Sequence, residues 1–264
     1  MARALRLALL MIVVACVYLF LAHPYWFPVG VSSSSASIDH QFKIAFWVFG
    51  ILFIVGHLVL IFVLSKKTRG DSKLAQGSWR LEVTWTLAVT IIFFWFNISG
   101  ERLWSSMMPA EKQTGEIELE VTGTQFQWYF RYPGTDGVFG RTDAQKFAKP
   151  DEGNPLGIDP SDPAGHDDIL STAMVVPVGH SVHLHLRAQD VIHSLFIPAM
   201  RFKQDTVPGM EIHSHFTPTQ IGNYEIACAE LCGLGHYRMR ALVRVLSEEA
   251  FQTWIKAQEK AASH

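Results

Sequence analysis

Cysteine is scarce in this chain: three residues among 264. So low a count excludes the disulfide framework that holds many small exported domains together. Charge is thin as well. Lys, Arg, Asp and Glu make up 17% of the residues against 49% hydrophobic, and the formal net charge is −2. That composition is too apolar for an ordinary soluble protein, and it lacks the basic patch that nucleic-acid binding needs. The segment from His23 to Gln41 has no Lys or Arg, no residue set suggests a hydrolytic triad, and no Cys-x-x-Cys-His haem-attachment motif occurs.

The apolar residues concentrate in the first hundred positions, as runs over Leu7 to Ala22, Ile44 to Leu64 and Leu81 to Ile98. At roughly 1.5 Å per residue the second run covers about the 30 Å of a bilayer core, and the third reaches similar length. Both predict transmembrane helices. The first reads as a retained helix or a cleavable signal. Between the second and third runs, Lys66, Lys67, Arg69, Lys73 and Arg80 face a single Asp71. The positive-inside rule makes that loop cytoplasmic, with Arg3 and Arg6 on the same side, and sends everything after Ile98 outside.

Two of the three cysteines fall in CAELCGLGHYRM, residues 228–239, which places Cys228, Cys232, His236 and Met239 within twelve positions. Thiolate, imidazole and thioether are soft or borderline donors, the mixture that copper selects, whereas a closed zinc site usually wants four Cys or His ligands and no Met. His193, at the end of an alternating stretch upstream, is the candidate for the missing strong ligand. Two cysteines four residues apart can each bridge a pair of copper ions. A disulfide or a pair of buried thiols is the competing reading, but it leaves the His and Met spacing without a reason.

C-x3-C-x3-H-x2-M, the upstream DVIHSLFIPAMRFKQDTVPG over 190–209 and the aromatic run GTQFQWYFRY over 123–132 resemble subunit II of haem-copper cytochrome c oxidases across most of residues 43 to 247. The resemblance implies N-terminal transmembrane helices followed by an all-β cupredoxin-like sandwich. It implies two copper ions (the CuA centre) held by His193, Cys228, Cys232, His236, Met239 and the backbone carbonyl of Glu230. It further implies electrons arriving from cytochrome c and leaving to a haem-copper subunit I that reduces oxygen to water and pumps protons. The Glu230 carboxylate would help hold a magnesium ion shared with subunit I, with Asp190 and Asp205 near that interface, and Glu82 resembles the start of a proton-uptake path. One departure stands out. Phe126 occupies the position where the family's tryptophan receives electrons, with Trp128 two residues later and on the same strand face if the alternation is unbroken. Either Trp128 takes over the electron-entry role or the donor docks differently, and plain aromatic packing is the competing reading.

Short alternating segments, Ile117 to Val121, Met174 to Val178, Val182 to Leu186 and Ala241 to Val245, predict the strands of a sandwich. Ser247 ahead of Glu248 and Glu249 predicts a capping box opening a terminal helix. The expected organisation is an N-terminal hydrophobic segment and external loop over 1–42, a helical hairpin over 43–105, an exported copper domain over 106–247 with an acidic insertion at 134–169, and a C-terminal helix and tail over 248–264. From Asp143 to Asp168 that insertion carries seven acids against Lys146 and Lys149. A solvated loop is the default reading, and an acidic surface steering a basic cytochrome is the alternative. His183 with His185, and His213 with His215, share strand faces and read as half-exposed strand residues before they read as a second metal site. A copper-carrying chaperone, a structural quinol-oxidase subunit and the CuA subunit of a nitric oxide reductase are the rival functions. The long N-terminal run and the insertion favour a bacterial plasma membrane.

Overall fold

The computed structural model describes residues 2–22, 28–65, 78–107, 115–147 and 153–262. The basic residues Lys66, Lys67, Arg69 and Lys73, on which the orientation argument leans, lie outside the described residues, as do Lys149, Asp151 and Glu152 of the insertion. The chain divides into two units, one spanning Met1–Pro28 with Ser37–Ser106 and the other Val29–Ala36 with Met107–His264.

The first unit is helical: α1 Ala2–Ala22, α2 Ser35–Ser65 and α3 Trp79–Met107. All three are long and apolar enough to cross a membrane. Their apolar side chains point largely outward, as those of Leu7, Trp47, Leu60, Leu81 and Phe93 do, which suits lipid and not water. Both α2 and α3 exceed the apolar runs that predict them, because polar turns extend each helix past its hydrophobic stretch. Phe20 meets Trp47 edge-on with ring centroids 4.4 Å apart, Phe49 stacks on Phe96, and Gln41 donates to Ser99 Oγ at 2.9 Å. Gly50 is needed for the first of these contacts, since a Cβ there would stand 2.7 Å from the Phe20 ring.

The second unit holds ten strands: β1 Ile117–Thr124, β2 Gln127–Tyr132, β3 Ile169–Ser171, β4 Met174–Pro177, β5 Val182–Ala188, β6 His193–Ile197, β7 Phe202–Thr206, β8 Ile212–Phe216, β9 Gly222–Cys228 and β10 Arg240–Leu246. They form two five-stranded sheets, ordered β3-β2-β1-β5-β8 and β4-β10-β9-β6-β7. Alternation dictates the core. Val182, Leu184 and Leu186 of β5 turn inward with Leu119 and Val121 of β1, and on the other sheet Leu195, Ile197, Ile226, Val243 and Val245 do the same. The segment before α2 belongs to this unit: Val31 N donates to Ala199 O, Thr219 N donates to Val31 O, and Ser32 Oγ donates to Met200 O at 2.7 Å.

A final helix, α4 Glu248–Ala262, packs Phe251 into the core and sets Trp254 against Tyr132. Its cap is one-sided. Ser247 Oγ accepts from Ala250 N, but the reciprocal Glu of a capping box is missing because position 250 is alanine.

The insertion after β2 differs from the solvated loop expected of it. Arg131, buried on β2, donates from Nε and Nη2 to both oxygens of Glu120 at 2.9 and 2.7 Å, and from Nη1 to Asp168 Oδ2 at 3.0 Å and Gly140 O at 2.8 Å. Asp167 accepts from Thr135 N and Oγ1. Asp159 pairs with Lys146, and Asp162 with Arg141. Among the described residues, Asp159, Asp162, Asp167 and Asp168 therefore have partners inside the insertion or beneath it.

Candidate metal centre

β6 and β9 run side by side, with Leu195 opposite Cys228, so the first residue of β6 and the last of β9 emerge at one end of the sheet. Those residues are His193 and Cys228. The chain after Cys228 loops back through Cys232 and a single 3-10 turn, His236–Arg238, to re-enter the sheet at β10. Cys228 N donates to Met239 O at 3.1 Å, and Ala229 N to Ser194 O at 3.0 Å, so both ends of the loop are tied to the sheet before any ligand is considered.

Five side chains and one carbonyl converge there. The thiols are free, with Sγ atoms 3.9 Å apart. Cys232 Sγ lies 3.7 Å from His236 Nδ1 and 3.8 Å from Met239 Sδ, and Cys228 Sγ lies 3.2 Å from Glu230 O. His193 offers a ring nitrogen within 4.8 Å of both sulfurs. Its Nε2 is held by Asp190 Oδ1 at 2.8 Å. His193 is 0% exposed, and among the described residues its Nδ1 has no hydrogen-bond partner. Such an orphaned buried nitrogen is costly unless something electrophilic meets it. Burial, reinforced by the neighbouring Cys228, pushes the Cys232 thiol up to about 11, so a nearby metal cation would favour its thiolate. Two convergent sulfurs, two imidazoles and a thioether fit soft or borderline copper.

Asp190 is itself well held. Although partial burial works against it, hydrogen bonds from His193, Gln125 N and Val191 N keep its carboxyl below the ordinary range. The carboxylate–histidine arrangement holds the His193 ring in its orientation. Asp205 lies across from Ser194 on β7 and pairs with Lys203.

The aromatic run is divided differently from a continuous strand. Gln125 and Phe126 form the turn between β1 and β2, so alternation does not carry through and Phe126 and Trp128 part company. Trp128 is 1% exposed, with its ring edge toward His193 at a centroid distance of 5.9 Å. Gly123 makes room for both: a Cβ there would come within 2.9 Å of the His193 ring and 3.1 Å of Trp128. Phe126 is 38% exposed and lies on the ligand loop, where a Cβ on Gly235 would sit 2.4 Å from its ring. Gln125 Nε2 donates to Cys232 O at 2.6 Å, so the turn clamps the loop from outside.

Leu231, Leu234 and Tyr237 project from that loop into solvent, Leu234 at 97% exposure. Sequence reasoning misses them, because apolar residues in a ligand loop read as core; their spacing around the Cys and His residues is the available signal. Glu230 is exposed, and among the described residues it joins no group of three or more metal-binding side chains. Glu82 sits exposed in the first turn of α3.

The family described as cytochrome c oxidase subunit II, periplasmic domain, matches residues 118–246. The alternative cytochrome c oxidase subunit 2 of Bradyrhizobium diazoefficiens is 31% identical over 265 residues, covering 97% of this chain and 92% of that one. The chain belongs to the cytochrome c oxidase subunit II family. The Cereibacter sphaeroides cytochrome c oxidase subunit 2 is 29% identical, covering 80% of this chain and 74% of the relative. Among solved structures, the periplasmic domain of subunit II of cytochrome oxidase (CoxB) of Bradyrhizobium japonicum is 27% identical, covers 56% of this chain and 97% of that one, and has a TM-score of 0.42. As a subunit II, the chain combines three apolar N-terminal helices with a cupredoxin-like sandwich, and its family is one of copper-binding subunits of haem-copper oxidases.

Proposed function

We propose that this chain receives electrons for a haem-copper terminal oxidase of a bacterial plasma membrane, at a dinuclear copper centre held by His193, Cys228, Cys232, His236, Met239 and the carbonyl of Glu230. The convergence of two free thiols on buried His193, whose Nδ1 has no partner among the described residues, carries this reading. The copper pair would supply a one-electron store whose charge is shared across both ions.

The chain's own residues hold that store still. Both ends of the loop are bonded to the sheet, Gln125 and Phe126 clamp its middle, and Asp190 keeps His193 turned inward. Ligands so restrained shift little when charge arrives. Met239 and the Glu230 carbonyl, weaker donors at the margin, tune the potential. Trp128 lies too deep to touch a donor, and it acts as packing under His193. Phe126, at the surface and against the loop, is the aromatic through which electrons enter, framed by Leu231, Leu234 and Tyr237. That frame suits an apolar contact with cytochrome c or with a membrane-held or complex-bound cytochrome.

On this reading subunit I takes the electron, reduces oxygen to water and pumps protons. The Glu230 carboxylate would help hold a magnesium ion shared with subunit I, Asp190 and Asp205 would lie near that interface, and Glu82 begins a proton-uptake path. The domain limits expected from the sequence stand as part of the proposal, with residues 106–247 on the outer side of the membrane. The relatives' names favour oxygen over nitric oxide as the final acceptor.

The test is electron delivery in the assembled complex. Mixing the oxidase with reduced cytochrome c should bleach the copper–thiolate absorption before the haems are reduced, and Phe126→Ala should slow that first phase. Haem reduction at an unchanged rate in a Cys228→Ser complex would overturn the proposal.

A further inference from the structure

The electron relay leaves one histidine cluster without a use. On the outer face of the β3-β2-β1-β5-β8 sheet, β5 presents His183 and His185, and β8 sets His213 directly across from His185 and His215 across from His183. The inner positions of the same strands, Val182, Leu184, Leu186 and Phe216, are core, so the strand period forces the histidines onto one surface.

They do not splay apart. A ring nitrogen from each of His183, His185 and His213 lies within 4.8 Å of the other two, and the three rings stand 4.7, 5.3 and 4.9 Å apart by centroid. Carboxylates orient them. Glu118 Oε2, on the neighbouring strand β1, lies 2.9 Å from His183 Nδ1 and 2.7 Å from His185 Nε2. Glu211 Oε1 lies 2.8 Å from His185 Nδ1 and 3.7 Å from His213 Nε2.

We propose that His183, His185 and His213 form a binding site for a divalent first-row transition ion of the Zn2+ class, separate from the copper centre, with a Glu118 or Glu211 oxygen or a water as fourth ligand. Three imidazoles from two adjacent antiparallel strands supply a tetrahedral ion with three corners and leave one open. Zinc–nitrogen bonds of 2.0–2.1 Å put ligand nitrogens about 3.3 Å apart, so the rings need to close by at most about 1.5 Å. Side-chain rotation on this half-exposed face supplies that movement. Imidazole and carboxylate donors suit Zn2+, Co2+ or Cu2+, whereas the thiolate set at 228–239 draws the softer copper pair. The ion would pin β5 to β8, and through Glu118 to β1.

The test uses the full-length, copper-loaded chain in detergent, without a polyhistidine tag, titrated with Co2+. The expected result is the intense visible ligand-field absorption of tetrahedral Co2+, saturating at one ion per chain, displaced by Zn2+ and leaving the copper–thiolate absorption unchanged. His213→Ala and His185→Ala should abolish it, Glu118→Gln should weaken binding about 10–100-fold, and His215→Ala should retain it. His213 is exposed, and an intact copper absorption in each variant reports an intact sandwich. The absence of saturable tetrahedral Co2+ in the native chain, or undiminished binding in a correctly copper-loaded His213→Ala chain, would overturn the site.

Discussion

The ligand loop over 228–239 and the insertion over 134–169 are both long departures from the sandwich, and they are secured by opposite means. The insertion is stitched by charge: Arg131 bridges Glu120 and Asp168 Oδ2 in the interior, with Arg187 a further cation 3.3 Å from Glu120. The ligand loop has backbone bonds at its ends and one glutamine clamp, and at its centre two free thiols and an orphaned imidazole nitrogen. Buried ion pairs complete themselves within the protein, whereas a soft donor set is completed by a metal. The first kind of loop is a matter of stability, the second of function.

Cutting the metal side should give the largest effect. Cys232→Ser removes one of the two sulfurs that would hold the copper pair, and the paired-copper spectrum should vanish; stripping copper from the native chain should raise amide hydrogen exchange across 229–238 while leaving 134–147 protected. Equal deprotection of both segments would break the distinction. On the charge side, Arg131→Met leaves Glu120 and Asp168 buried without their cation, and denaturant unfolding should show a loss of about 3–5 kcal/mol.

Acidity separates the loops further. Burial, with Glu120 adding to it, pushes the Asp168 carboxyl up to about 6 despite Arg131. A carboxyl whose folded value is raised holds its proton more tightly in the fold than in the unfolded chain, so this group favours folding at low pH and loses that contribution as pH rises from about 4 to about 6. Relative to Asp168→Asn, the native chain should lose at most about 3 kcal/mol over that range; a difference that is flat or grows with pH would contradict the assignment. A smaller effect belongs to Asp190→Asn, which weakens the partner of His193 Nε2 while keeping every ligand. Copper affinity should fall about 10–100-fold with the unfolding midpoint of the copper-free chain little changed.

The convergence of soft donors was legible in the sequence because that chemistry depends on residue type and spacing, and Cys228, Cys232, His236 and Met239 occupy one short loop. The sandwich strands were legible from alternation, although β1 runs on to Thr124. Other features escaped for physical reasons. Composition cannot distinguish a solvated aspartate from one bound to Arg131, so the insertion read by default as a solvated loop. Alternation could not foresee the turn at Gln125 and Phe126 that sends one aromatic outward and the next inward. The two histidine pairs were visible at their i, i+2 spacing, but the β5–β8 register that brings His213 to His185 is a tertiary fact.

The most direct test of the central claim is the metal content of the full-length copper-reconstituted chain, read together with its electron paramagnetic resonance spectrum. The account predicts a copper pair at the 228–239 loop, with one unpaired electron split by two equivalent copper nuclei and both metal and signal lost in Cys232→Ser. A single copper with a one-nucleus spectrum, or an unchanged signal in Cys232→Ser, would contradict it.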